Sequence, residues 1–175
     1  MENDRAQLSL MRLWRHANPR YELRGGQRLA PRKSYCLDIM KQRQRRLVFT
    51  LAHSPTFVRV GHPSDLPAVP RDAEALSFEN AELRDEDLRS LPAFPRLRCL
   101  DLDGTAISDE ALAWVARNSN LEELWLECTG VTDTGLVYLR ALPRLAFVSL
   151  AYTDVTEQGV AALRAAIPNA EVSAP

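Results

Sequence analysis

The sequence predicts an α/β fold: a right-handed solenoid of about four 24-residue strand–turn–helix units over residues 73–175, preceded by a small α/β or β-rich cap over residues 1–72. Three observations predict it. Apolar residues recur in register every 24 positions from Ala73 onward. Charge divides sharply near residue 72, and the stretch Asp65–Asp72 places two prolines at the divide.

The 24-residue period is visible when lines are started at Ala73, Leu97, Leu121 and Leu145. The fourth column then reads Leu76, Leu100, Leu124, Val148, and the sixth Phe78, Leu102, Leu126, Leu150. The ninth reads Ala81, Thr105, Thr129, Thr153, and the eleventh Leu83, Ile107, Val131, Val155. Asp85, Asp109, Asp133 and Glu157 share the thirteenth. Within each line an LxxLxL stretch sends alternate residues inward as a short strand. Ser108, Thr132 and Thr156 then stand where a helix N-cap belongs, each followed by an acidic residue suited to the first turn. The helix that follows buries residues such as Leu136 and Leu139, and Pro143 and Pro168 stop it. No single unit can bury its own apolar face, so the core exists only through stacking.

The pattern LxxLxLxxTx(I/V)(T/S)DxGLxxLxxLP resembles the leucine-rich repeat family. Its style is that of the bacterial and F-box-associated proteins with cysteine-containing or ribonuclease-inhibitor-like repeats. The resemblance covers residues 73–172. It departs from the commonest consensus at Thr105, Thr129 and Thr153, where Asn or Cys is usual. A threonine hydroxyl can still bond backbone groups at the turn leaving the strand. The resemblance implies a non-enzymatic protein that binds another protein on its concave face.

The remainder of the chain frames that reading. Its 175 residues, 46% apolar and 26% charged, suit a folded protein. No apolar run approaches the ~20 residues that span a bilayer, and the N-terminal residues do not read as a secretory signal. Cys36, Cys99 and Cys128 are three cysteines without CxxC spacing, which suggests neither a disulfide framework nor a zinc site and points to a reducing cytoplasm. His16, His53 and His62 lack a partnered nucleophile and read as surface or capping residues. Neither GxGxxG nor the P-loop pattern occurs, and no cofactor or metal is expected.

One stretch argues for chemistry. Asp101-Leu102-Asp103-Gly104-Thr105 spells DxDGT, which resembles the nucleophile motif of the haloacid-dehalogenase-like phosphatases. That family needs a downstream lysine, whereas the only lysines are Lys33 and Lys41. The 24-residue register accounts for the same letters as an inward Leu102, a turn at Thr105 and two outward carboxylates. A calcium loop starting at Cys99 fits no better, since a thiol is a poor ligand for a hard cation.

The outward positions give the candidate binding residues. Strands ~4.8 Å apart align them into rows: Ala75, Cys99, Glu123, Phe147; then Ser77, Asp101, Trp125, Ser149; then Glu79, Asp103, Glu127, Ala151, with Tyr152 at the edge. Two carboxylates ~5 Å apart in water repel by only roughly 0.8 kcal/mol, but several together favour a basic partner. Trp125 is the expected hot spot, with Phe147 and Tyr152 next. Asp101, Asp103, Glu123 and Glu127 are the expected acidic contacts.

Residues 1–72 carry 14 Lys and Arg against 6 Asp and Glu, while residues 73–175 carry 8 against 17. Residues 7–17 suit a short helix, and alternation at 35–39, 47–51 and 58–60 suits a three-stranded meander, with a helix through 36–51 competing. Capping the first unit is the expected role. The cluster Lys41, Arg43, Arg45 and Arg46 leaves open a nucleic-acid-associated adaptor. Charge complementarity also allows the basic segment to lie against the acidic units, within one chain or between two. A further alternative is an inhibitor or immunity-type protein whose acidic face blocks a basic enzyme.

Overall fold

Parallel strands need a crossover between them, and the 24-residue spacing leaves room for one helix per crossover. The computed structural model describes residues 57–174, which belong to a compact unit spanning Pro55–Pro175. They form a six-stranded, all-parallel sheet in sequential order. The strands are β1 (Phe57–Arg59), β2 (Ala75–Ser77), β3 (Cys99–Asp101), β4 (Glu123–Trp125), β5 (Phe147–Ser149) and β6 (Glu171–Ser173). A 3-10 helix (Pro63–Ala68) joins the first pair. The later crossovers carry α1 (Asp85–Arg89), α2 (Asp109–Val115), α3 (Leu136–Leu139) and α4 (Glu157–Ala166). The protein is therefore α/β, with helices and strands alternating along the chain.

The register follows the sequence columns. Leu76 faces Leu100, Leu100 faces Leu124, Leu124 faces Val148, and Val148 faces Val172. These residues join the sixth-column Phe78, Leu102, Leu126 and Leu150 in one continuous core. Leu88, Leu112, Leu139 and Leu163 close it from the helical side. The segment from residue 57 differs from the expected meander. Its strand pairs parallel with β2, Val58 facing Leu76, and so extends the main sheet. Val60 donates its N–H to the Ser77 carbonyl and is buried in the core, which is what draws the strand into the sheet. His62 does cap, accepting from Ser64 N–H ahead of the 3-10 helix. The expected helix at 7–17, the strands at 35–39 and 47–51 and the basic cluster at 41–46 lie outside the described residues.

The turns leaving the strands repeat one conformation. Asn80, Gly104, Cys128 and Tyr152, each 24 residues after the last, all have φ between 56° and 66°. Phe78 and Leu102 carbonyls accept the N–H groups of Ala81 and Thr105 three residues on, as in a turn whose third residue is left-handed. The threonine hydroxyls tighten the same turns, donating to the carbonyls of Leu102, Leu126 and Leu150 at 2.5–2.7 Å.

Successive units are also stapled through side chains, which the sequence reading assigned differently. Asp85 accepts from both the N–H and the hydroxyl of Ser108, at 2.8 and 2.7 Å. Asp109 does the same for Thr132 and Asp133 for Thr156. Of the three expected N-caps, Thr156 also caps its helix through Gly159 N–H. Ser108 precedes α2 without a side-chain cap bond, and Thr132 stands four residues ahead of α3. Donating to the carboxylate leaves the hydroxyl oxygen able to accept, as Thr156 does from Gly159 N–H and Thr132 from Thr134 N–H.

The staples explain two glycines. A Cβ on Gly135 would lie 2.4 Å from Asp109 Oδ1, and one on Gly159 would lie 1.9 Å from Asp133 Oδ1. Gly159→Ala must therefore displace a carboxylate fixed by two hydrogen bonds, and urea denaturation should show a loss of about 1–3 kcal/mol. In an Asp133→Ala background the sign should reverse. The methyl then meets no carboxylate, and the better helix former gains up to about 1 kcal/mol.

Candidate functional site

The side of the sheet opposite Leu100 and Leu124 carries the rows expected to bind a partner. The structure aligns them as the sequence requires: Cys99 faces Glu123, Glu123 faces Phe147, Asp101 faces Trp125, and Trp125 faces Ser149. It also lengthens them. Arg59 on β1 enters the second row opposite Ser77, so that row is not free of basic residues, and Arg59 lies 3.7 Å from Glu79. At the other end β6 adds Glu171 beyond Phe147 and Ser173 beyond Ser149.

Exposure differs from expectation. Asp101, Asp103, Trp125 and Glu127 were expected to face solvent, yet they are 1%, 3%, 3% and 8% exposed. Strands β2 and β3 are buried along their whole length. The carboxylates are held as structural acceptors. Asp101 accepts from the Ser77 hydroxyl at 3.0 Å and from Asp103 N–H at 3.1 Å. Asp103 accepts from Glu127 N–H at 2.5 Å, and Glu127 accepts from the Ser149 hydroxyl at 2.6 Å. These donors run from row to row and hold the buried carboxylates in place. Trp125 lies against Phe147, ring centroids 4.8 Å apart and tilted by 49°.

The face opens toward the far end. Glu123 and Phe147 are half-buried, as is Tyr152, while Glu171 and Ser173 on β6 are exposed. Of the residues singled out in the sequence, the structure thus brings Glu123 and Phe147 together on the open part. Tyr152 sits at its edge in the left-handed turn, and Asp101, Asp103, Trp125 and Glu127 lie beneath. Glu171 was missed, although Asn169 begins the next 24-residue line and its third column falls on Glu171.

The DxDGT stretch is accounted for letter by letter. Asp101 and Asp103 accept the backbone and hydroxyl donors just given, Leu102 is core, and Gly104 takes the left-handed turn position at φ 66°. Thr105 donates to the Leu102 carbonyl. Cys99, between these acids, keeps its proton: burial first, then the carboxylates of Glu123, Asp101 and Asp103, push its pKa far above the ordinary thiol range. Among the described residues no group of three or more His, Cys, Asp or Glu side chains could hold a metal ion. No helix among them is long and apolar enough to cross a membrane.

No family model matches the chain, and no curated protein matches it. Among solved structures it is similar to the leiomodin-1 actin-binding site 2, with a TM-score of 0.50 and 10% identity. That likeness covers 65% of this chain and 76% of the other. At such identity it bears on the fold alone.

Proposed function

We propose that this chain is a non-catalytic, cytoplasmic protein-binding module. In this reading residues 73–172 are a right-handed leucine-rich-repeat solenoid of about four units, with the sequence resemblance to ribonuclease-inhibitor-like repeats as support for it. The 24-residue strand spacing and the recurrent left-handed turns support the same reading. The partner is a basic protein surface, bound on the open part of the acidic, aromatic face.

The observation that carries this is the row Glu123, Phe147, Glu171 on β4, β5 and β6. Neighbouring strands put the two carboxylates ~10 Å apart with a phenyl ring between them. An arginine or lysine side chain laid over Phe147 would gain a cation–π contact and a carboxylate on either side. Asp101, Asp103 and Glu127 beneath would add to the negative field without touching the partner. Trp125 would support Phe147 from behind. The leiomodin site is named for binding actin; this supports a protein-binding use of the fold and does not make actin the partner here.

Binding of an arginine-rich peptide to the full chain tests the reading by titration calorimetry at two salt concentrations. The affinity should fall as salt rises. Glu123→Gln combined with Phe147→Ala should weaken binding about tenfold or more, the loss of about 1.4 kcal/mol or more. Glu110→Gln, an exposed acid on α2, should leave it unchanged. Equal losses from both variants would mean that only net charge is being sensed, and the site would be wrong.

A further inference from the structure

The sheet ends, among the described residues, at β6, which pairs with β5 on one side only. In an inner strand the residues alternate in the neighbour they bond. Cys99 and Asp101 of β3 turn to β2, through Cys99 N–H to the Glu74 carbonyl and the Asp101 carbonyl from Phe78 N–H. The Arg98 carbonyl, which accepts from Glu123 N–H, and Leu102 N–H, which donates to the Trp125 carbonyl, turn to β4. In β6 the groups used toward β5 are Glu171 N–H, which donates to the Ala146 carbonyl, and the Ser173 carbonyl, which accepts from Leu150 N–H. By the same alternation Val172 and Ala174 turn their backbone groups away from β5, to the outer edge, and Ala170 turns its carbonyl there, its N–H being held by the Ile167 carbonyl.

That edge is occupied at its centre. Arg164, in the last turn of α4, donates from Nη2 to the Val172 carbonyl at 2.8 Å. A guanidinium is suited to this because its planar fork reaches a carbonyl from a distance and never loses its charge. Arg140 occupies the equivalent position one unit earlier, where the outer edge of β5 is already covered by β6. A short strand with a charged side chain laid on its edge is a recognised way of keeping a sheet from adding strands.

We propose that Arg164 guards a strand-addition surface, and that the strand this edge takes when the guanidinium leaves is β6 of a second copy of the chain. The edge is complementary to itself. Antiparallel pairing about a two-fold axis at Val172 pairs the outward Val172 N–H and carbonyl of one copy with those of the other. It sets Glu171 opposite Ser173 and Ala170 opposite Ala174, so no like charges face each other. With Arg164 in place the central acceptor is filled and the chain stays monomeric.

Sedimentation velocity over a range of concentrations, with amide hydrogen exchange on the same samples, tests this. The native chain should remain a monomer with fast exchange at Val172. Arg164→Ala should form a dimer as concentration rises, and exchange at Val172 should slow in step. Arg164→Met keeps the length and helix propensity of the side chain but has no donor for the Val172 carbonyl; it should dimerise too and serves should Arg164→Ala fold poorly. Variants that sediment like the native chain would overturn the proposal. So would a dimer in which Val172 exchanges as fast as in the monomer, or a native chain already dimeric through Val172.

Discussion

Replacing Leu126 with alanine is expected to destabilise the protein by about 2–5 kcal/mol. Leu126 is fully buried and belongs to the sixth-column line of Phe78, Leu102 and Leu150 in the core. Three carbons lost from such a place forfeit their transfer free energy and leave a cavity that neighbours on both sides must border. Against the ~5–15 kcal/mol that holds a typical domain folded, this is a large fraction. Urea denaturation followed by far-ultraviolet circular dichroism should show the midpoint falling with little change of slope. Val137→Ala, at a position 48% exposed, should move the midpoint by no more than a few tenths of a kcal/mol. A Leu126→Ala protein as stable as Val137→Ala would mean that the units do not share an interior.

The second large effect is expected at Asp109. Its carboxylate takes the backbone N–H and the hydroxyl of Thr132, and both donors are partly buried. Asp109→Ala leaves them without an acceptor and should cost about 1–3 kcal/mol in the same assay. Asp109→Asn keeps one oxygen for the N–H, and the hydroxyl can turn to accept from the amide, so much of the loss should be restored. Glu110 next door is the contrast: it pairs with Arg89, but both side chains are well exposed, and its truncation should cost at most about 1 kcal/mol. If Asp109→Ala and Glu110→Ala proved equal, the Asp column would be mere surface charge.

Legibility in the sequence followed from what a period can and cannot encode. It encodes which side of a strand a residue occupies, so the register of Leu76, Leu100, Leu124 and Val148 was readable. The same holds for the rows that put Asp101 beside Trp125. A period is blind where lines are short or off-step. β1 begins 18 residues before β2 rather than 24, and the line holding β6 has only its first residues in this sequence. Nor does periodicity reveal what a polar side chain bonds. Asp85, Asp109 and Asp133 read as ordinary acids at helix starts because their partners lie 23 residues away. The outward acids read as solvated for a similar reason. Ser77 and Ser149, which take up two of them, look like neutral spacers until the strands are set side by side.

The left-handed turns differ in what they cost the main chain. Asn80 and Gly104 are residue types that adopt positive φ with little penalty, whereas Cys128 and Tyr152 adopt it against a steric cost on the order of 1 kcal/mol each. The two disfavoured residues occur in the last two such turns, after β4 and β5, where the sheet begins to open to solvent. Glycine in either place would relax the backbone but remove a half-buried side chain. Cys128→Gly and Tyr152→Gly therefore set a relaxed main chain against lost packing at the end of the sheet where both side chains are half-buried.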